Sequence, residues 1–307
     1  MTNEVPRDKS DTPTSQEARI GEEVRAFYAT MPFNFHGSVE VAVESIRANQ
    51  VRETYPDLHA LLESGSVGSV LEIGCGAGWL ANSLALHYGV RVTAVDFCGQ
   101  AVERAREVAG ALGTAGQAEF IECDLFEYEH GAPVDLVISL GVLHVTGRCE
   151  EAFHHVRQFV GEGKYIYIGL YHEPGRRVFL DMFHAIIESE GEEAAFRRYR
   201  DLDVLHAADE TMARSWFRDQ VIHPHETLHT LRETCGWLAA TDLSLRSTSV
   251  NRFAPFGDVT ELFELELEFA ELSRKANCEE GRFFPGFFTF LAVRALSGLS
   301  GPGAQTR

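Results

Sequence analysis

Between residues 65 and 171, short apolar runs bounded by glycine or aspartate alternate with stretches of helical period, and few folds accept that order. The apolar runs are Ser69–Ile73, Val90–Val95, Ala118–Cys123, Asp135–Leu140 and Tyr165–Leu170. Runs of this kind predict strands covered on both faces. The segments between them, Trp79–Tyr88, Gln100–Leu112 and Cys149–Val160, read as helices; Ala101, Val102, Ala105, Val108 and Ala109 share one face of the second, and Phe153, Val156, Phe159 and Val160 one face of the third. Buried strands joined by helices make a parallel, doubly wound α/β sheet, which receives ligands at the carboxyl ends of its strands.

The flanking segments predict additions to this core. Residues 1–20 are polar and aperiodic and are expected to be a disordered lead-in. Residues 21–64 turn helical, broken at Met31-Pro32-Phe33-Asn34-Phe35, and form an N-terminal helical cap. The core occupies 65–174, and 175–222 is helical, aromatic and arginine-rich, a lid inserted after the fifth strand. The core resumes over 223–298 with a helix from about Glu226 to Ala239, a strand over Thr241–Val250 and a final strand Phe287–Ala295. An insertion at 251–286 carries the acidic helix Glu261–Leu272, and 299–307 is a flexible tail. The sheet then has seven strands, mostly parallel.

Composition narrows the partners. Of 307 residues 45 % are hydrophobic and 24 % charged, and no apolar stretch approaches the ~20 residues of a membrane span, so a globular, cytoplasmic protein is expected. The N-terminus lacks the apolar centre of a secretory signal. A net charge of −19 repels phosphate backbones and anionic lipid, which argues against nucleic acid and membranes and for a small molecule. Cysteines 75, 98, 123, 149, 235 and 278 show no CxxC pairing and read as free thiols, so no structural metal is expected. Oligomeric state is left open.

The most informative local feature is Val70-Leu71-Glu72-Ile73-Gly74-Cys75-Gly76-Ala77-Gly78, a strand that runs into a glycine turn and opens a helix. A nicotinamide-binding turn needs its third glycine one residue later, where this chain has Trp79. Asp96 stands 20 residues beyond Gly76 at the end of the second strand, where a carboxylate can accept two hydrogen bonds from a ribose diol. The Glu-x-Gly-x-Gly-x-Gly spacing resembles motif I of class I S-adenosylmethionine-dependent methyltransferases, a Rossmann-like fold. That resemblance covers residues 65–171 and implies S-adenosyl-L-methionine as cofactor. It assigns Glu72, Gly74, Cys75, Gly76 and Gly78 to the amino-acid end and Asp96, with Phe97, to the ribose. Asp124 and Leu125 would meet the adenine, and Leu140, within the fourth-strand motif Asp135–His144, would lie beside the transferring methyl. The implied activity is methyl transfer to an O, N or C atom of a small organic metabolite in specialised metabolism. Two rivals are a non-catalytic cofactor-binding sensor or partner subunit and a nucleic-acid methyltransferase, the latter disfavoured by charge.

Methyl transfer to oxygen or carbon needs a group that removes a proton. His144 after the fourth strand, His172 after the fifth and His223 at the lid's exit are the candidates. Tyr171, Arg176, Trp216, Arg218 and His225 are expected to contact the acceptor, the two arginines meeting a carboxylate or phosphate. Phe27, Tyr28 and Phe33 either close over the methionine end of the cofactor or pack the cap on the sheet, packing being the preferred reading. His225-Glu226-Thr227-Leu228-His229 matches the HExxH zinc motif formally, but no third ligand is identifiable, so no metal is assigned.

Overall fold

The computed structural model describes residues 14–34, 36–49 and 51–296. One seven-stranded sheet organises them: β1 (Ser69–Ile73), β2 (Arg91–Asp96), β3 (Ala118–Glu122), β4 (Val134–Leu140), β5 (Val160–Tyr171), β6 (Leu243–Thr248) and β7 (Phe287–Arg294). Their spatial order is β3-β2-β1-β4-β5-β7-β6. The first five strands pair in parallel, and β7 runs antiparallel to both β5 and β6. The order reverses between β1 and β4, and a crevice opens there at the carboxyl edge.

Helices α1 (Ser15–Thr30), α2 (Val39–Arg47), α3 (Val51–Thr54) and α4 (Pro56–Glu63) form the cap. Helices α5 (Trp79–Tyr88) and α6 (Gly99–Leu112) cover one face of the sheet, where Leu58, Leu80, Leu84, Val102 and Ala105 pack on Val70, Val92 and Leu136. Helix α7 (Cys149–Arg157) and α11 (Leu231–Ala239) cover the other, with Phe153, Val156, Trp237 and Leu238 against Ile166, Ile168 and Phe290. Between β5 and α11 lie α8 (Glu173–Glu190), α9 (Glu192–Leu202) and α10 (Glu210–Val221). These three have a core of their own, built on Phe179, Phe183, Phe196, Tyr199 and Phe217. Each such side chain contributes about 1.5–3 kcal/mol by leaving water, which makes the insertion a packed unit and not a loose loop. Helices α12 (Val259–Glu266) and α13 (Phe269–Arg274) fill the second insertion.

Several expected boundaries shift for identifiable reasons. Helix α1 begins at Ser15, inside the stretch expected to be a disordered lead-in. Thr14 and Glu17 close a reciprocal capping box there, each side chain bonded to the other's backbone amide. Residues 1–13, Phe35 and the expected tail 299–307 lie outside the described residues. The helix expected over Cys149–Val160 stops at Arg157, because Val160 already pairs with Val134 in the sheet. The helix expected from Glu226 starts at Leu231, capped by Thr230. Residues before it are extended: His229 forms a bridge with His172, and the Thr227 amide donates to the His144 carbonyl. The acidic helix expected over Glu261–Leu272 is two helices, α12 and α13; Glu266, the last residue of the first, buries its carboxylate against the amides of Leu231 and Arg232. All six cysteines are unpaired, and among the described residues no helix is long and apolar enough to cross a membrane.

Candidate functional site

The site begins where β1 ends. Gly74, Gly76 and Gly78 have φ of +77°, +51° and +80°, a region that side chains with a Cβ rarely adopt. A Cβ at Gly74 would stand 2.1 Å from Val142, and one at Gly78 would stand 2.6 Å from Ala105. Gly76, by contrast, has nothing nearer than 3.8 Å and leaves its backbone open to approach. Asp96, at the end of β2, anchors the turn: its carboxylate accepts the Gly76 amide at 2.8 Å through one oxygen and the Cys98 amide at 2.8 Å through the other. Each oxygen keeps a further lone pair.

Glu72 lies under the turn, buried, with Oε2 lacking any donor in the protein. Burial, and then the nearby Asp96 charge, push its carboxyl up to about 8, so it is protonated at pH 7. A cation arriving beside it would favour the carboxylate, and the group would release its proton. Ligand binding through a cationic group at pH 7 is therefore expected to expel close to one proton, read as a dependence of calorimetric heat on the buffer's ionisation enthalpy. Glu72→Gln should abolish that dependence, and proton release unchanged in the variant would assign it to another group.

The crevice has two halves that meet at Gly74, Asp96, Phe97 and Val142. The smaller, about 210 Å³, lies between α1 and the ends of β2 and β3, and Asp124, Leu125 and Phe126 line it. The Asp124 carboxylate accepts the Phe126 amide at 2.8 Å and is ion-paired with Arg25 of α1, whose guanidinium sits 5.3 Å from the Phe97 ring. The N-terminal helix thus walls this half. The larger half, about 530 Å³, is floored by Gly74–Ala77 and Leu140 and roofed by Pro32–Asn34 and α10. A hydrogen-bonded set centred on Asp219 stands in its wall. Tyr28 donates to Asp219 at 2.6 Å, Gln220 at 3.0 Å and Tyr171 at 3.4 Å.

The structure brings most of the expected cofactor residues together. Glu72, Gly74, Cys75, Gly76, Asp96, Phe97, Asp124, Leu125 and Leu140 line one half or the other, and Gly78 closes the turn behind them. Tyr171 and Trp216 line the larger half. The expected catalytic histidines do not. His144 is fully buried behind Tyr171, ring centroids 4.0 Å apart, and burial holds its imidazole well below the ordinary range. His172 follows Tyr171 in an extended chain and so points to the opposite face, where it meets Glu266 at 2.9 Å and packs on Phe269 and Phe288. His223 packs against Phe27 and Tyr28, with burial pulling it down to about 4.

The expected arginine contacts are also structural. Arg176 is wholly buried, paired with both Glu226 oxygens at 2.9 and 2.7 Å and stacked 3.7 Å from the Tyr171 ring centroid. Arg218 stacks on Phe27 at 4.6 Å, and the His225 carbonyl accepts from His223. These groups form a layer that holds Tyr28 and Tyr171 from behind. The HExxH segment is extended, so its histidines are not one helical turn apart. No group of three or more His, Cys, Asp or Glu among the described residues could hold a metal ion.

Sequence reasoning did not single out Asp219, and for Tyr28 it preferred packing to closure over the cofactor. The available signal was the spacing of Met212, Trp216, Asp219 and Gln220, which lie on one face of α10 and all line the larger half.

Comparison with known proteins adds the following. Residues 70–163 match a family model described as a methyltransferase domain. A release factor glutamine methyltransferase of Chlorobaculum tepidum is 39 % identical over 83 residues, covering 25 % of this chain and 28 % of that protein. A ribosomal RNA small subunit methyltransferase C of Klebsiella pneumoniae is 39 % identical over 88 residues, 28 % and 25 % of the two chains. The match therefore spans about a quarter of the length of these curated relatives. Among solved structures, magnesium protoporphyrin IX methyltransferase from Synechocystis with bound SAH superposes with a TM-score of 0.50 at 16 % identity, over 89 % of this chain and 93 % of that one. PKMT2 from Rickettsia typhi in complex with AdoHcy gives 0.52 at 12 % identity, over 75 % and 49 %. These likenesses are of fold.

Proposed function

We propose that this chain, built on the class I methyltransferase fold with its methyltransferase domain at residues 70–163, transfers a methyl group from S-adenosyl-L-methionine to a small organic acceptor. The observation that carries the reading is the pairing of the glycine turn with two carboxylates, the buried Glu72 in the larger half and the half-buried Asp96 where the two halves of the crevice meet. The residues fit the cofactor. The donorless Glu72 oxygen suits the ammonium group of its amino-acid end, the open backbone at Gly76 admits close approach, and the spare lone pairs of Asp96 suit a ribose diol. Asp124 and Leu125 would hold the adenine, with Arg25 and α1 covering it.

The cofactor supplies an electrophilic methyl group on a sulfonium. The chain's task is then alignment and exclusion of water from the larger half, for which the segment from Leu205 to Asp209 and α10, within the proposed lid of residues 175–222, supply one wall. An acidic chain and a mostly apolar crevice support a small acceptor over nucleic acid or a membrane surface. The curated relatives bear names of enzymes acting on a release factor and on ribosomal RNA, and what they share with this chain supports the cofactor half alone.

Incubating the purified chain with cofactor carrying a deuterated methyl group and a metabolite extract tests the proposal. One or more small molecules should gain the labelled methyl. Label found only in RNA or protein would replace the acceptor class, and cofactor binding with no transfer to any fraction would favour a sensor.

A further inference from the structure

The wall of the larger half contains a carboxylate that the cofactor reading leaves without a task. Asp219 reaches the cavity from α10, on the same helical face as Trp216. Its donors are already two phenol hydroxyls, Tyr28 at 2.6 Å and Tyr171 at the slack distance of 3.4 Å, and the Gln220 amide. Burial raises the Asp219 carboxyl above its ordinary range, against the pull of the Tyr28 hydrogen bond and the Arg176 charge, and so makes it a stronger base.

The charges and surfaces around it are selective. Among the described residues lining this half there is no lysine or arginine, while Asp96, Asp209 and Asp219 are present. Arg176 is kept out of the cavity behind Tyr171 and neutralised by Glu226. Beside aliphatic and polar side chains, the wall carries a run of aromatic ones: Trp216 packs on Phe33 at 4.7 Å and stacks on His206 at 4.2 Å, with Phe287 and Tyr55 further along. A carboxylate or phosphate on the acceptor would find no lysine or arginine on this wall to pair with and would be repelled by its carboxylates. A basic amine would be held protonated by the same field and lose its nucleophilic lone pair. An uncharged ring system with a hydroxyl satisfies both constraints, and about 530 Å³ falls in the range that encloses such molecules.

Resting on the methyltransferase reading, we propose that the acceptor is an uncharged aromatic hydroxyl compound and that Asp219 is the catalytic residue that takes its proton. The acceptor hydroxyl takes the place of the weakly held Tyr171 hydroxyl on Asp219. Its proton passes to the carboxylate while its oxygen bonds to the transferred methyl carbon. The carbon–sulfur bond breaks with its electron pair left on sulfur, and Asp219 later loses the proton to solvent. A methyl ether and a neutral thioether result. Tyr28 holds the carboxylate in place throughout.

The test is binding, not turnover: 2-naphthol, 2-methoxynaphthalene and 2-naphthoate are titrated by fluorescence into the full chain saturated with S-adenosylhomocysteine. Wild-type protein should prefer the hydroxyl compound to its methyl ether and to the carboxylate by about tenfold or more, the ratio of a charge-assisted hydrogen bond. Asp219→Asn should erase the preference over the ether while S-adenosylhomocysteine affinity stays within about twofold. Equal binding of hydroxyl and ether by the wild type, or tighter binding of the carboxylate, overturns the proposal without touching the methyltransferase reading and needs no variant to fold. An undiminished preference in Asp219→Asn overturns the role of that side chain. Failure of the wild type to bind S-adenosylhomocysteine overturns the parent reading and this one with it.

Discussion

Replacing Asp96 by alanine is expected to weaken binding of S-adenosylmethionine and S-adenosylhomocysteine by about 1.5–3 kcal/mol, roughly 10- to 150-fold. Two losses combine. The carboxylate no longer accepts from the ribose, and the Gly76 and Cys98 amides, each at 2.8 Å from it, lose the acceptor that shapes the turn. Asn in its place keeps one oxygen and should fall between. Calorimetry on both variants reads the effect, and wild-type affinity in Asp96→Ala would remove the ribose assignment.

A second large effect is expected far from the cofactor. Arg176 is wholly buried and joins α8 to Glu226, to the Gln220 carbonyl at 2.8 Å and to the Pro285 carbonyl at 3.3 Å, tying the first helix of the α8–α10 insertion to its exit and to the approach to β7. Arg176→Met leaves the Glu226 carboxylate without its partner in a site nearly shut to water, at a cost of about 3–5 kcal/mol. Against a total stability of about 5–15 kcal/mol this should lower the thermal midpoint by on the order of 10 °C. Removing Glu226 as well, as Arg176→Met with Glu226→Leu, should recover much of the loss, because two apolar groups replace a pair that was costly to desolvate. A variant that keeps its midpoint and loses only acceptor affinity would return Arg176 to the substrate-binding role that its position in the sequence suggested.

The parts of this molecule that sequence reasoning reached are those whose physics is local. Strands β1 and β4 are buried on both faces, so their apolar runs need no knowledge of neighbours, and the turn Gly74–Gly78 declares itself because a Cβ there meets Val142 or Ala105. Asp96 and Asp124 follow from standing at strand ends. What escaped depends on which way a side chain turns. Tyr171 and His172 are adjacent, and only the pairing of the chain with β7 and with His229 decides that the tyrosine faces the crevice and the histidine faces Glu266. The same holds for Arg176, whose charge reads as a binding group until Glu226 is found against it across 50 residues of chain. The extended segment before α11 looked helical because its apolar spacing is shared with the helix, whereas its hydrogen bonds go to His144 and Tyr171. Asp219 was visible only as one polar residue among several on α10, and its role emerges from Tyr28, distant in sequence, closing on it.

Titration of the wild-type chain with S-adenosylhomocysteine, followed by calorimetry at pH 7 in two buffers of different ionisation enthalpy, bears most directly on the claim that this crevice is a cofactor site. One ligand per chain should bind, with a dissociation constant in the range of about 1 µM to 1 mM that is usual for enzyme ligands. Close to one proton should leave as Glu72, raised to about 8 in the free chain, meets the ligand's ammonium group. Absence of binding by folded protein at millimolar ligand would contradict the account.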